Sequence, residues 1–282
     1  MNDDLSYTWP DGKKAAAILS IDFDGPSPYL WATRGKDSTA LGELELRRFG
    51  PRQGIYRLME LFGRLDLRIS AYVPGAVALS HPTEVAALLE AGHEVGLHGY
   101  MHEKVTELEF DQLKVVLDKS AIALEAIGAN GPFGYRSPSW ELTIEALHVL
   151  EEFGVAYDSS LMGFDQPYWM SNLVEVPVQW PLDDAIFYRY VPGSNWPPVT
   201  PRELTAGWKL ELEGAKRYGS LVTLTLHPWL SGRAGRMLAI EELLEEFRYD
   251  EEIWWATAKE VAEYHKLTYG SGVRHLPRIG EI

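Results

Sequence analysis

The chain alternates between two hydrophobic periods. Ala15–Asp24 is an almost unbroken apolar run ending in acids, the pattern of a strand covered on both faces, whereas Gln53–Leu65 places apolar residues at helical spacing. The alternation continues with a strand over Ile69–Val73, a helix over His81–Ala91, a strand over Glu94–Gly99 and helices over Phe110–Ile127 and Thr143–Phe153. Strands are then predicted over Ala156–Ser159, Leu173–Val178 and Leu221–His227, and helices over Pro201–Tyr218 and Ile240–Tyr249, with Pro201 suited to a first helical turn. A last strand, Trp254–Thr257, precedes a helix over Ala258–Lys266. Strand and helix in turn predict an α/β fold, a distorted (β/α) barrel of about seven strands, as one domain spanning residues 1–282.

Pro, Gly and polar residues gather in Gly25–Gly50, Gly128–Ser139 and Val191–Pro201, which read as loops rather than interdomain linkers. The first is long, and its Tyr29-Leu30-Trp31 segment marks it as an ordered cap over a site.

Composition narrows the class. The 282 residues are 46% hydrophobic and 12% aromatic, enough for a large core. A net charge of -15 argues against nucleic acid or an anionic membrane as partner, since both recruit clustered cations. The Met1-Asn2-Asp3-Asp4 start has no basic, apolar secretory pattern, and no run is long enough to span a bilayer, so a cytoplasmic location is expected. With no cysteine in the chain, any metal must be held by nitrogen and oxygen.

Candidate chemistry falls at strand ends, where barrel enzymes keep it. His98 and His102 stand four residues apart where the third strand gives way to a predicted helical turn, a spacing that lets two imidazoles grip one ion. Asp22 and Asp24 close the first strand at i and i+2, and the pleat directs both to one side. Inward-pointing carboxylates there need a cation. Arg136, in Tyr135-Arg136-Ser137-Pro138-Ser139-Trp140, is a fork for a carboxylate, and His227 ends a late strand. His93, at the other end of its strand, reads as a structural hydrogen-bonding residue and Met101 as packing. Trp31, Trp140 and Trp229 adjoin these motifs as walls for a substrate ring, while Trp180, Trp254 and Trp255 are assigned to the core.

In order, the acidic strand end at Asp22 and Asp24, the H-x-x-x-H pair, R-x-P-x-W at Arg136, Pro138 and Trp140, Asp158-Ser159-Ser160, and the Leu224-to-His227 ending resemble the polysaccharide deacetylase, or NodB-homology, family of carbohydrate esterases. Arg52-Gln53-Gly54-Ile55-Tyr56-Arg57 and Ala71-Tyr72-Val73-Pro74-Gly75 resemble the branch that holds intracellular peptidoglycan-deacetylase-like proteins, cyclic imide hydrolases and metal-independent allantoinases. The resemblance implies one divalent metal ion, usually zinc, on Asp24, His98 and His102. It further implies Asp22 as base, Arg136 as the residue holding Asp22, His227 as acid and Asp158 as the residue orienting His227. Family members usually place their two acids side by side, whereas Phe23 separates them here. Retention of both histidines argues for the metal-dependent route.

The implied activity is hydrolysis of a nonpeptide amide C–N bond, first as N-deacetylation of an N-acetylated amino sugar, with a small cyclic imide or ureide as the rival substrate. A silent ligand-binding barrel is disfavoured by the full set of base, ligand and acid candidates. The branch also implies a homo-oligomer, such as a tetramer.

Overall fold

The computed structural model describes residues 7–36, 40–189 and 199–270. Among these residues nine strands form one curled sheet: β1 (Ala15–Asp22), β2 (Ser70–Val73), β3 (Glu94–Leu97), β4 (Gly134–Tyr135), β5 (Tyr157–Asp158), β6 (Tyr168–Met170), β7 (Leu173–Glu175), β8 (Leu221–Leu226) and β9 (Ile253–Trp255). Their order is β6-β7-β5-β4-β3-β2-β1-β8, with β9 paired to the start of β1. Only β6 is antiparallel to its neighbour, so the other strands deliver their C-terminal ends to one rim. The sheet is a barrel left open between β8 and β6. A side-chain bond from Thr223 to the Pro177 carbonyl and an isolated bridge between Asp183 and Thr225 span the opening.

The seven strands read from the sequence are present, each within a few residues of its expected limits. β4 and β6, of two and three residues, are additions. β4 lies inside the stretch taken for the loop Gly128–Ser139, because two residues are too few to show a period. The stretch Gly25–Gly50 is also more ordered than a loop, containing helices Ser27–Ala32 and Leu41–Phe49. Most of Val191–Pro201 lies outside the described residues.

β1 shows how the pleat builds the site. Ala15, Ala17, Leu19, Ile21 and Phe23 join the core between sheet and helices, while Ala16 and Ile18 face a second core inside the barrel. Ser20 and Asp22 continue the inward row. The barrel floor is plugged by Trp9 and by Ala258, Val261 and Ala262 of the helix Ala258–Tyr269, leaving the opposite rim for chemistry.

A second device holds the rim. The chain from Leu41 to Arg64 is continuous helix, interrupted by a wide π turn at Gly50–Gly54 where it crosses the segment after His227. A Cβ on Gly54 would lie 1.9 Å from the Pro228 carbonyl oxygen, a backbone atom that cannot swing aside. We predict that Gly54→Ala destabilises the protein by about 3 kcal/mol, read as a fall of about 6 °C or more in Tm. Gly63→Ala, in the same helix with open space around its Cα, serves as the control and should leave Tm unchanged or raised; equal Tm values for the two variants would contradict the crossing.

Candidate active site and metal centre

Asp22 and Asp24 both reach the imidazole of His98, with Oδ2 and Oδ1 respectively 3.9 and 3.4 Å from its Nε2. The Asp-Phe-Asp spacing therefore puts both carboxylates at one point, and Phe23 between them is fully buried on the other side. His102 Nε2 lies 3.8 Å from Asp24 Oδ2. The two histidines do not share a helical turn, as their spacing had implied. Gly99 and His102 both take left-handed conformations, with φ of 68° and 64°. The buried Glu103 carboxylate accepts the Tyr100 and Met101 amides, fixing the bend that turns the imidazoles edge to face with centroids 5.0 Å apart. A positive φ at a histidine is a strained choice that surrounding contacts must hold, a pattern concentrated at functional sites.

The donor set fits a metal ion. Asp24, His98 and His102 each offer an atom within 4.8 Å of the others, and ligands at about 2.0–2.1 Å in tetrahedral array lie about 3.3 Å apart. Asp24 Oδ1 is buried with no hydrogen-bond partner among the described residues, an arrangement that leaves it available to a cation. His98 Nδ1–H donates to the Arg136 carbonyl at 2.8 Å, which fixes the tautomer and leaves the Nε2 lone pair facing Asp24. Burial pushes His102 down to about 4 despite the nearby Asp24 carboxylate, so it is neutral at ordinary pH, the state that ligates. Burial works the same way on His98, but Asp22 and Asp24 overcome it and raise its pKa, marking a spot that favours positive charge.

Arg136 is fully buried and bonds Asp22 Oδ1 at 2.8 Å, Ser20 Oγ at 2.9 Å and the Ser159 carbonyl at 3.0 Å. Burial would raise the Asp22 carboxyl, but Arg136, with His98 and His227, holds it below the usual carboxylate range. The Trp140 indole N–H also points at Asp22 Oδ2, at 3.4 Å. Truncating one member of such a buried pair costs about 3–5 kcal/mol because the other charge is left uncompensated.

His227 faces Asp24 from β8, with Nε2 3.7 Å from Oδ2. Its orienting partner is not Asp158. Asp184 Oδ1 accepts His227 Nδ1–H at 2.7 Å, and Asp184 Oδ2 accepts the His227 backbone amide and the Ser231 hydroxyl. Asp183 adds a second carboxylate 3.4 Å from Nδ1. Burial would lower the His227 pKa, but Asp184 and Asp183 carry it up to about 10. Asp158 bonds Ser160 instead and faces Glu175. Burial raises both carboxyls, Glu175 well above its ordinary value, which favours a proton between this pair over two buried negative charges.

These groups open into a cavity of about 420 Å³ whose walls include Trp140, Trp180, Trp229, Arg47, Arg189 and Ile186. Trp180, assigned to the core from sequence, stacks on Trp140 with centroids 4.7 Å apart and is 36% exposed. Trp31 does not line the cavity: it lies half-buried under the Arg34 guanidinium, and Pro28 is the wall residue from that helix. Trp140 follows Ser139, and both hold positive φ, 63° and 54°, so the indole is aimed by a constrained turn. Sequence reasoning missed Arg47, Asp183, Asp184 and Arg189. Asp183-Asp184 had a legible signal as a helix N-cap pair before Ala185-Ile186; Arg47 had none, since Glu43 and Arg47 at i and i+4 read as a surface ion pair.

Residues 49–157 match the polysaccharide deacetylase family model. A protein from Mycobacterium smegmatis described as a polysaccharide deacetylase has a crystal structure that superposes with a TM-score of 0.88 at 34% identity, covering 96% of both chains. The peptidoglycan deacetylase of Helicobacter pylori is 28% identical over 89% of this chain and 96% of its own length. The fold is shared with Puue allantoinase at a TM-score of 0.83 and 19% identity, covering 94% of each chain. The protein is thus a hydrolase of the class that cleaves carbon–nitrogen bonds other than peptide bonds. The chain belongs to the polysaccharide deacetylase, or NodB-homology, family. No helix among the described residues is long and apolar enough to cross a membrane.

Proposed function

We propose that the protein is a metal-dependent amide hydrolase whose first substrate class is an N-acetylated amino sugar. The observation that carries this reading is the convergence of an unpartnered carboxylate oxygen of Asp24 with His98 and His102, between an ionised Asp22 and a protonated His227. Zinc, when bound by Asp24, His98 and His102, supplies a Lewis acid that acidifies water and polarises the carbonyl. Asp22, kept ionised by Arg136, accepts the proton of the attacking water. His227 Nε2 donates a proton to the departing nitrogen, while Asp184 holds the ring and stabilises its charge. The stacked Trp140 and Trp180 offer a flat apolar wall for a sugar face.

A cyclic imide or ureide is the second reading, favoured by the modest cavity beneath the helices Ser27–Ala32 and Asp184–Tyr188. A zinc-loaded substrate panel decides between them. N-acetylglucosamine oligomers should release acetate, whereas succinimide or allantoin would open without it. Turnover of neither class would refute both readings.

A further inference from the structure

Arg47 has no role in the chemistry above, yet it is 4% exposed and lines the reaction cavity. Its Nε donates to Glu43 at 2.9 Å, and its guanidinium stacks on Trp229 with Cζ 4.7 Å from the ring centre. Among the described residues no carboxylate is hydrogen-bonded to its two Nη groups. Arg189 lines the same cavity and likewise has no carboxylate partner among the described residues. A buried guanidinium normally sits against an anion, because an uncompensated buried charge is expensive.

Glu43, itself about a third exposed, engages only the Nε of Arg47. The two Nη groups therefore keep donors without a partner among the described residues, beside Trp229 on the wall of a cavity also lined by Trp140 and Trp180. A guanidinium that turns such donors to an aromatic-lined cavity, with a second guanidinium on the same wall, is an anion subsite.

We propose that Arg47, assisted by Arg189, binds a carboxylate carried by the substrate in addition to its scissile amide. The substrate is then an acidic amide: an amino sugar bearing a carboxylate substituent, or a small acid of the imide or ureide series. The acidic-amide substrate class rests on the amide-hydrolase reading, but the recognition itself can be measured without turnover.

The test uses succinamate and succinamide, which are close in size and shape and differ in charge, titrated calorimetrically into the full chain with and without zinc. The zinc-loaded wild type should bind succinamate about tenfold or more tightly than succinamide, the increment of a charge-assisted hydrogen bond. Arg47→Gln should abolish that preference while retaining zinc, Arg47→Lys should keep part of it, and Arg189→Gln should reduce it. Two results overturn the proposal: no preference in the wild type, or a preference that survives Arg47→Gln and disappears on chelation, which would place the carboxylate on the metal alone. If the hydrolase reading fails but the preference depends on Arg47, the anion subsite stands independently. Arg189→Gln, at an exposed position, keeps the test open should Arg47→Gln fold poorly.

Discussion

His98→Ala with His102→Ala is expected to strip the divalent metal from the protein and reduce turnover to background. The wild type should bind about one divalent ion per chain, and metal analysis after extensive dialysis against buffer, then after re-addition of zinc, measures it. The double variant should bind none at equal protein, and Asp24→Asn, which replaces the one anionic ligand, should bind it far more weakly. The reason lies in the geometry: Asp24 joins both imidazoles at 3.4 and 3.8 Å, while Arg136 locks the His98 tautomer through its carbonyl. Turnover at the wild-type rate in a metal-free double variant would remove the metal from the mechanism. His93→Ala is a suitable control, because that ring accepts the Ile69 amide at the opposite end of β3.

Asp184→Asn should lower kcat by about 10²–10⁴-fold without loss of metal. Asp184 is wholly buried and is the first cause of the raised His227 pKa, accepting from ring, backbone and Ser231 together. The direction with pH follows. A raised pKa keeps His227 protonated up to about 10 in the free protein, so the alkaline limb of kcat/KM lies high in the wild type. Removing the carboxylate charge lowers that pKa and moves the limb to lower pH. Stability changes with the same sign: the contribution of the His227–Asp184 pair is fully present below the unfolded histidine pKa and is lost as pH rises through the folded one. Asp158→Asn, by contrast, should leave the limb in place, since Asp158 faces Glu175. A shift in Asp158→Asn and none in Asp184→Asn would return the orienting role to Asp158.

The sequence disclosed whatever repeats with a period. β1, β8 and the helix Pro201–Tyr218 were legible because each runs for six or more residues, and Pro201 marked the first turn of the helix. The rim residues on those strands followed. What escaped detection was set by tertiary contact. The His98–His102 bend depends on Glu103 folding back, β4 depends on pairing with neighbours that long-range packing brings near, and Arg47 is covered by Trp229, which lies far along the chain. Trp180 was misassigned for the same reason, since a tryptophan beside a proline reads identically whether it fills a core or walls a cavity.

β1 sits between β2 and β9 on one side and β8 on the other, and its Ser20 is hydrogen-bonded to Thr225 across 205 positions of sequence. β1 therefore waits for a strand far along the chain before its inward row is enclosed. Pairings this distant pay their loop-closure entropy before any contact repays it, which makes them slow. Asp22 ends β1, Asp24 follows it and His227 follows β8, so the pocket is assembled only when these two strands pair. His227 is thus brought to the acids and imidazoles by a long-range pairing that no local element supplies.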